Sequence, residues 1–285
     1  VSSIRIVTDS TADIPLAVRE ELGIEMVPLK IHFGSETFLD AVTLQSASFY
    51  EKLVSTAALP TTSQPSPLEF MEVYKRLAEE PGTQIISIHL SSALSGTYQS
   101  AVLAGNMMEE EKLGKVNVVD SLSASYGIGV LAVAAAKAAR EGHSVEQILT
   151  LIQNIRKDYK IYFLVDTLSY LQKGGRIGKA SAVLGSLLSI KPILSIDKDG
   201  VVAAIDKVRG QRKAMARIIE LMQADIPGKA LHLVIAHANN LEAADQLRGL
   251  IEDNFEVLSV EYIILGPVIG AHAGPGTSAA FIKPV

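Results

Sequence analysis

The chain has 285 residues, of which 48% are hydrophobic and 20% charged, with a formal net charge of −5 and no cysteine. That length exceeds the usual size of one core and predicts two domains. The acidic balance argues against nucleic acid as a partner, and the absence of cysteine excludes disulfides, thiolate nucleophiles and cysteine-based zinc sites, in keeping with a cytoplasmic protein. The most apolar run, "YGIGVLAVAAAKAAREG", is broken by Lys137 before the roughly 18 apolar residues of a membrane span accumulate. "VSSIRIVTDS" lacks the charged-then-apolar pattern of a signal peptide, so a soluble protein is expected.

Along the first half, short β-branched runs alternate with helical patterns: "IRIVTD", "PLAVREELG", "EMVPLKIHF", "ASFYEKLVST", "PLEFMEVYKRLAEE", "QIISIHL", "TYQSAVLAGNMMEEEKLG", "VNVVD" and the alanine-rich run. This rhythm predicts an α/β domain, a doubly wound, mainly parallel sheet over residues 1–157, with "IISIHL" and "VNVVD" as central strands because they are apolar at consecutive positions. After the helix "SVEQILTLIQNIRKDY" the rhythm changes. "KIYFLVDT" reads as a strand, "LSYLQKGG" and "KASAVLGSLLS" as short helices, and "KPILSIDKDGVVAAIDKVRG" as a hairpin turning at Asp199-Gly200. Two further helix–strand units and "GPVIGAHAGPGTSAAFIKPV" complete an expected α+β domain with a mixed sheet over residues 158–285.

In such sheets ligands bind beyond the carboxyl ends of the strands. The loops expected there carry hydroxyls: "TDSTAD", "SSALSGTY" and "SLSASYG". Each suits helix capping alone, but together they predict an uncharged pocket of donors for a carboxylate or phosphate. "LPTTSQPSP" adds to them. Its Ser66, Pro67 and Glu69 form a helix start, which leaves Thr61, Thr62, Ser63 and Gln64 without a local task. Ser95 and Gly96 stand where a helix begins, so a hydroxyl, backbone N–H groups and a positive dipole end converge.

"LQKGGRIGKAS" misses the phosphate-loop spacing, yet Lys173, Arg176 and Lys179 around its glycines predict a basic knob. The histidines show no i, i+4 metal pair, and no metal centre is expected. His272, crowded by small residues in "VIGAHAGPGT", reads as a pocket donor. A serine hydrolase built from Ser95, His272 and Asp9 is the enzymatic alternative, against which the G-x-S-x-G elbow is absent; a ligand-sensing regulator is another.

Taken in order, "IVTDSTADIP", "TTSQPSP", "IISIHLSSALSGTYQSA", "VVDSLSASYGIG", "LQKGGRIGKAS", "IKPIL" and "PVIGAHAGPG" resemble the DegV family of bacterial fatty-acid-binding proteins nearly end to end. The resemblance implies a long-chain fatty acid held between the two domains, with no further cofactor and no catalysis by the chain itself. It implies a carboxyl group bound by Thr62 and Ser95 with His272 close by, and Ser63 and Gly96 at the same head group. It also implies a partner fatty acid kinase that forms an acyl phosphate, transient contact with a membrane surface, and Arg176 and Arg209 as contacts for kinase, membrane or phosphate. "ASAVLGSLLSIKPIL" is expected to wall the acyl tunnel.

Overall fold

The computed structural model describes residues 3–185 and 189–285. In chain order the first half comprises β1 (Ile4–Asp9), α1 (Leu16–Leu22), β2 (Glu25–Val27), β3 (Lys30–Phe33), β4 (Glu36–Leu39), α2 (Ser46–Ser55), β5 (Thr61–Ser63), α3 (Pro67–Ala78), β6 (Gln84–His89), α4 (Thr97–Glu110), β7 (Val116–Asp120), α5 (Tyr126–Arg140) and α6 (Val145–Asp158). The second half comprises β8 (Lys160–Leu164), α7 (Ser169–Lys173), a 3-10 turn over Gly178–Val183, β9 (Ile190–Ile196), β10 (Val202–Arg209), α8 (Gln211–Asp225), β11 (Leu231–His237), α9 (Leu241–Glu252), β12 (Val257–Ile264), α10 (Pro267–Ala273) and β13 (Ser278–Pro284).

Strands β2-β1-β6-β7 form a parallel sheet. Successive residues of a strand face opposite sides, so Val7 and Ile85 bury against α3 and α4 while Ile6, Ile86 and Ile88 bury against α5 and α6. The capping boxes Ser66/Glu69 and Ser144/Gln147 start α3 and α6, as their sequences require. The expectation for "VNVVD" is corrected: β6 is central, but β7 is an edge strand whose five residues are all half-buried. Its apolar run reflects packing by helices on both faces rather than a neighbour on each side.

"EMVPLKIHF" is likewise two strands. Pro28 and Leu29 separate β2 from β3, and β3 joins a small antiparallel sheet β4-β3-β5 in which "TTS" is the third strand. The second half builds a six-stranded mixed sheet, β10-β9-β8-β13-β11-β12, in which only β11 and β12 pair in parallel. The Asp199-Gly200 hairpin between β9 and β10 forms as read, with Gly200 at φ +75°.

One face of this sheet, including Tyr162, Leu164, Ala280 and Ile282, is covered by α8 and α9. The other face turns toward the parallel-sheet half: Ile161, Val234, Ala236, Ala279 and Phe281 share one buried cluster with Ile86, Ile128 and Phe49. Helix α10 lies between the halves, with Gly270 so close to Phe49 and Tyr50 of α2 that a Cβ there would sit 2.5 Å from the Tyr50 hydroxyl. Among the described residues no helix is long and apolar enough to cross a membrane.

Candidate functional site

The face of the mixed sheet that escapes α8 and α9 does not close completely. Ile161 and Phe163 of β8 and Ala279 and Phe281 of β13 alternate toward a cavity whose opposite wall comes from Leu29, Leu90, Leu94 and Ala124. Val268, Ile269 and Ala273 of α10 with Leu265 line it as well, Ile196 of β9 continues the sheet wall, and Leu171 and Val202 complete the apolar lining. Counting its mouth, the cavity encloses about 820 Å³ of atom-free space. Its lining is apolar apart from Thr62, Ser95, Ser125, Arg176, His272 and Thr277.

Four residues singled out from the sequence therefore meet at one cavity: Thr62, Ser95, Arg176 and His272. Thr62 Oγ1 and His272 Nε2 lie 2.7 Å apart, joining β5 to α10. His272 Nδ1 is buried without a partner. It sits against Gly174, where a Cβ would come within 2.3 Å of it, so only glycine leaves the imidazole this position. Burial, reinforced by the neighbouring Arg176 charge, lowers the His272 pKa to about 4, and the ring is neutral at physiological pH. Arg176 is fixed by its own backbone bonds, Nε donating to the Leu94 carbonyl at 3.0 Å and Nη1 to that of Gly174 at 2.6 Å. Ser95 Oγ shares a hydrogen bond with Thr97 Oγ1 at 2.9 Å at the start of α4. Two hydroxyls, a neutral imidazole and a guanidinium thus cluster on the lining of a mostly apolar cavity.

Other candidates fall elsewhere. Strand alternation turns Ser63 to the face opposite Thr62, where its hydroxyl lies 2.8 Å from His32 Nε2. Gly96 caps α4 outside the lining, and its lack of a side chain accommodates Gln64, whose Nε2 lies 2.6 Å from where a Cβ would sit. This contact binds "TTSQ" to "LSG" and gives Gln64 its task. Arg209 is exposed at the end of β10, opposite Ile190, and does not line the cavity. The expected basic knob is corrected as well: Arg176 points into the cavity, and Lys179 bridges Asp197 and Asp199.

The hydrolase constellation does not assemble. Asp9 is engaged by His89 Nδ1 at 2.9 Å, Ser95 by Thr97 and His272 by Thr62. Asp9, His89 and Ser87 do follow one another in hydrogen-bond order, His89 Nε2 lying 2.6 Å from Ser87 Oγ, but all three are 0% exposed. Tyr74 closes that chain by donating to Ser87, and the four side chains tie β1, β6 and α3 together.

The expected tunnel wall is replaced. Leu187 and Leu188 lie outside the described residues, and no described residue of 180–194 lines the cavity; Ile196 and Val202 do. Ser125, within a loop expected at the pocket, and Thr277, not singled out from the sequence, line the cavity as well. Ser125 belongs to the hydroxyl loop "SLSASYG", sits at φ +52°, and donates its hydroxyl to Asp13 at 2.6 Å. Asp13 in turn accepts from the Gly266 N–H at 3.0 Å, holding the start of α10. Burial, with the Asp40 charge adding to it, raises the Asp13 pKa well above the usual carboxylate range.

Two α/β halves enclose a mostly apolar cavity with a cluster of polar groups on its lining, a chemistry that suits an amphipathic small molecule. The chain belongs to the DegV family: the family model described as "Uncharacterised protein, DegV family" matches residues 3–285. A DegV domain-containing protein of Halalkalibacterium halodurans is 41% identical over 278 residues, 97% of each chain. The solved structure described as fatty acid binding of a DegV family protein from Thermus thermophilus is 36% identical, with a TM-score of 0.92 over 99% of this chain and 100% of that one. DegV of Bacillus subtilis, described as a fatty acid binding protein, is also 36% identical, with a TM-score of 0.88 over the whole of both chains.

Proposed function

We propose that this protein binds a long-chain fatty acid in the cavity, carboxyl group toward Thr62, Ser95, His272 and Arg176 and tail along Phe163, Ala279 and Phe281. The observation that carries this reading is a cluster of polar groups in a mostly apolar cavity: Thr62 and His272 lie 2.7 Å apart, Arg176 neighbours His272 and is held by the Leu94 carbonyl next to Ser95, and the rest of the lining is apolar apart from Ser125 and Thr277. At about 0.8 kcal/mol per buried methylene, a tail of about sixteen carbons contributes on the order of 10 kcal/mol, so the tail sets affinity and the polar cluster sets orientation. A neutral imidazole can donate one hydrogen bond to a carboxylate, and Arg176 supplies a fixed charge beside it.

On this reading the protein is a cytoplasmic carrier and not itself an enzyme. It presents the carboxyl to a separate fatty acid kinase for acyl phosphate formation and exchanges lipid through transient contact with a membrane surface. Exposed Arg209 is the candidate contact for the kinase or a phosphate, and Arg176 the candidate contact at the cavity. Denaturing mass spectrometry of the purified protein tests the first half: one fatty acid per chain is expected, and a delipidated protein that takes up no oleate overturns the reading. Hydroxylamine trapping of acyl phosphate after incubation with kinase and ATP tests the second, and bound lipid that yields no hydroxamate removes the transfer step.

Thr62→Ala and Ser95→Ala are each expected to weaken fatty acid binding by about 1 kcal/mol, roughly fivefold, without loss of fold. Isothermal titration of delipidated protein reads this. Complete loss of lipid from either folded variant would contradict the assignment of affinity to the tail.

A further inference from the structure

The strand register ranks the apolar lining by depth. Across β13, β8 and β9, Ala279, Phe163 and Leu194 lie in one row, set by the pairs Phe163↔Ala279 and Phe163↔Leu194. Two residues further along each strand, Phe281 pairs with Ile161, and the antiparallel register carried on from Phe163↔Leu194 places Ile196 opposite Ile161. Residues two apart share a face, and directly opposed pairs have their Cβ atoms about 5 Å apart, so Phe281, Ile161 and Ile196 form a continuous second row. The chain runs from Ala279 back through Thr277 to α10 and His272, so the first row is the nearer to the polar cluster and the second is the floor.

Behind that floor lies other open space. A cleft between α5–α6 and β8–β10, about 1370 Å³ including its open side, is also lined by Ile161 and Ile196. The two isoleucines are the residues lining both spaces, and each is therefore a wall one side chain thick. Ile161 is 9% exposed and leans on helix α5 at Gly127, where a Cβ would meet its Cδ1 at 3.0 Å. A side chain at 127 would collide first with the Ser123 hydroxyl, 2.0 Å from such a Cβ, and would press on Ile161 as well.

We propose that Ile161 and Ile196 set the longest acyl chain the protein accepts, by closing the cavity against the cleft behind it. This inference rests on the fatty acid reading above. A chain that fits ends at the floor; a longer one must displace an isoleucine packed on Gly127 or on its cross-strand partner. Shortening either isoleucine deepens the cavity by roughly three carbons and opens a second mouth whose far side carries further apolar surface at Leu122, Leu131 and Ile205.

The experiment loads delipidated protein with an equimolar mixture of saturated acids of roughly 12 to 22 carbons and reads the bound fraction by mass spectrometry. Ile161→Ala and Ile196→Ala are expected to move the preferred length upward by about two to four carbons and to improve retention of the longest acids about tenfold relative to wild type. Ile161→Phe is expected to move it downward, and it keeps the test decisive should an alanine variant fail to fold. An unchanged length distribution in folded variants that still bind fatty acid overturns the floor assignment while leaving the fatty acid reading intact. A wild-type protein that takes up none of the acids overturns both.

Discussion

Ala279→Phe is expected to abolish retention of a long-chain fatty acid while leaving the protein folded. Ala279 is 3% exposed, stands opposite Phe163 on β8, and faces the cavity between the polar cluster and the floor. A phenyl ring there fills lumen rather than protein, so the cost to the fold stays within the roughly 1–3 kcal/mol of overpacking. The cost to the ligand is larger. Excluding about half of a sixteen-carbon tail removes on the order of 6 kcal/mol at about 0.8 kcal/mol per methylene, or some four orders of magnitude in affinity. Ala280→Phe is the matched control, because Ala280 points to the other face into the core beneath α8 and α9. It should lower the melting temperature sharply and leave any lipid held by the surviving folded fraction unchanged. Ala279→Phe copurifying with the same lipid as wild type would sink the assignment of the cavity to the tail.

The contrast between these neighbours also marks what a sequence can reveal. The α/β rhythm, the change of architecture after α6, the capping box that starts α3 and the Asp-Gly hairpin all follow from local periodicity and turn chemistry, and they form as read. Thr62, Ser95 and His272 were legible because hydroxyls and an imidazole stood in loops with no other employment. The lining of the cavity was not. "SAAFIKP" shows alternation but not which face an α-helix will cover, and the leucines of "ASAVLGSLLS" look as good a wall as Ile161 or Phe281. Ser63 was misplaced for a related reason: "TTS" reads as an extended loop, and only its pairing with β3 fixes which hydroxyl turns inward. Arg176 looked like a surface charge because the carbonyls that hold it, Leu94 and Gly174, are invisible to composition.

The support beneath α10 should respond to pH. Asp40, just after β4, is 1% exposed, and neither carboxyl oxygen has a hydrogen-bond partner. Burial raises its pKa to about 7; the nearby Ser10 hydroxyl and Val268 and Ala41 N–H groups offset only part of that, and the Asp9 charge adds to it. The folded-state pKa lies above the unfolded one, so the carboxyl's favourable contribution is full below about pH 4, declines as pH rises, and is exhausted above about pH 7. The loss is at most about 4 kcal/mol for a shift of roughly three units. His272 acts in the opposite sense: with its pKa lowered to about 4, its contribution is full above about pH 6.5 and is lost as pH falls toward 4. Asp40→Asn cannot ionise. Its amide leaves donors unpaired at a cost of about 1–3 kcal/mol, which makes it less stable than wild type near pH 4 and more stable, by about 1–3 kcal/mol, at pH 8. Urea denaturation across this range should show the two curves crossing, with the variant keeping the acid-side loss that belongs to His272 and the loss on raising pH that belongs to buried Asp13. A variant destabilised equally at pH 4 and pH 8 would mean that Asp40 is ionised throughout and that α10 rests on a charge rather than on a buried acid.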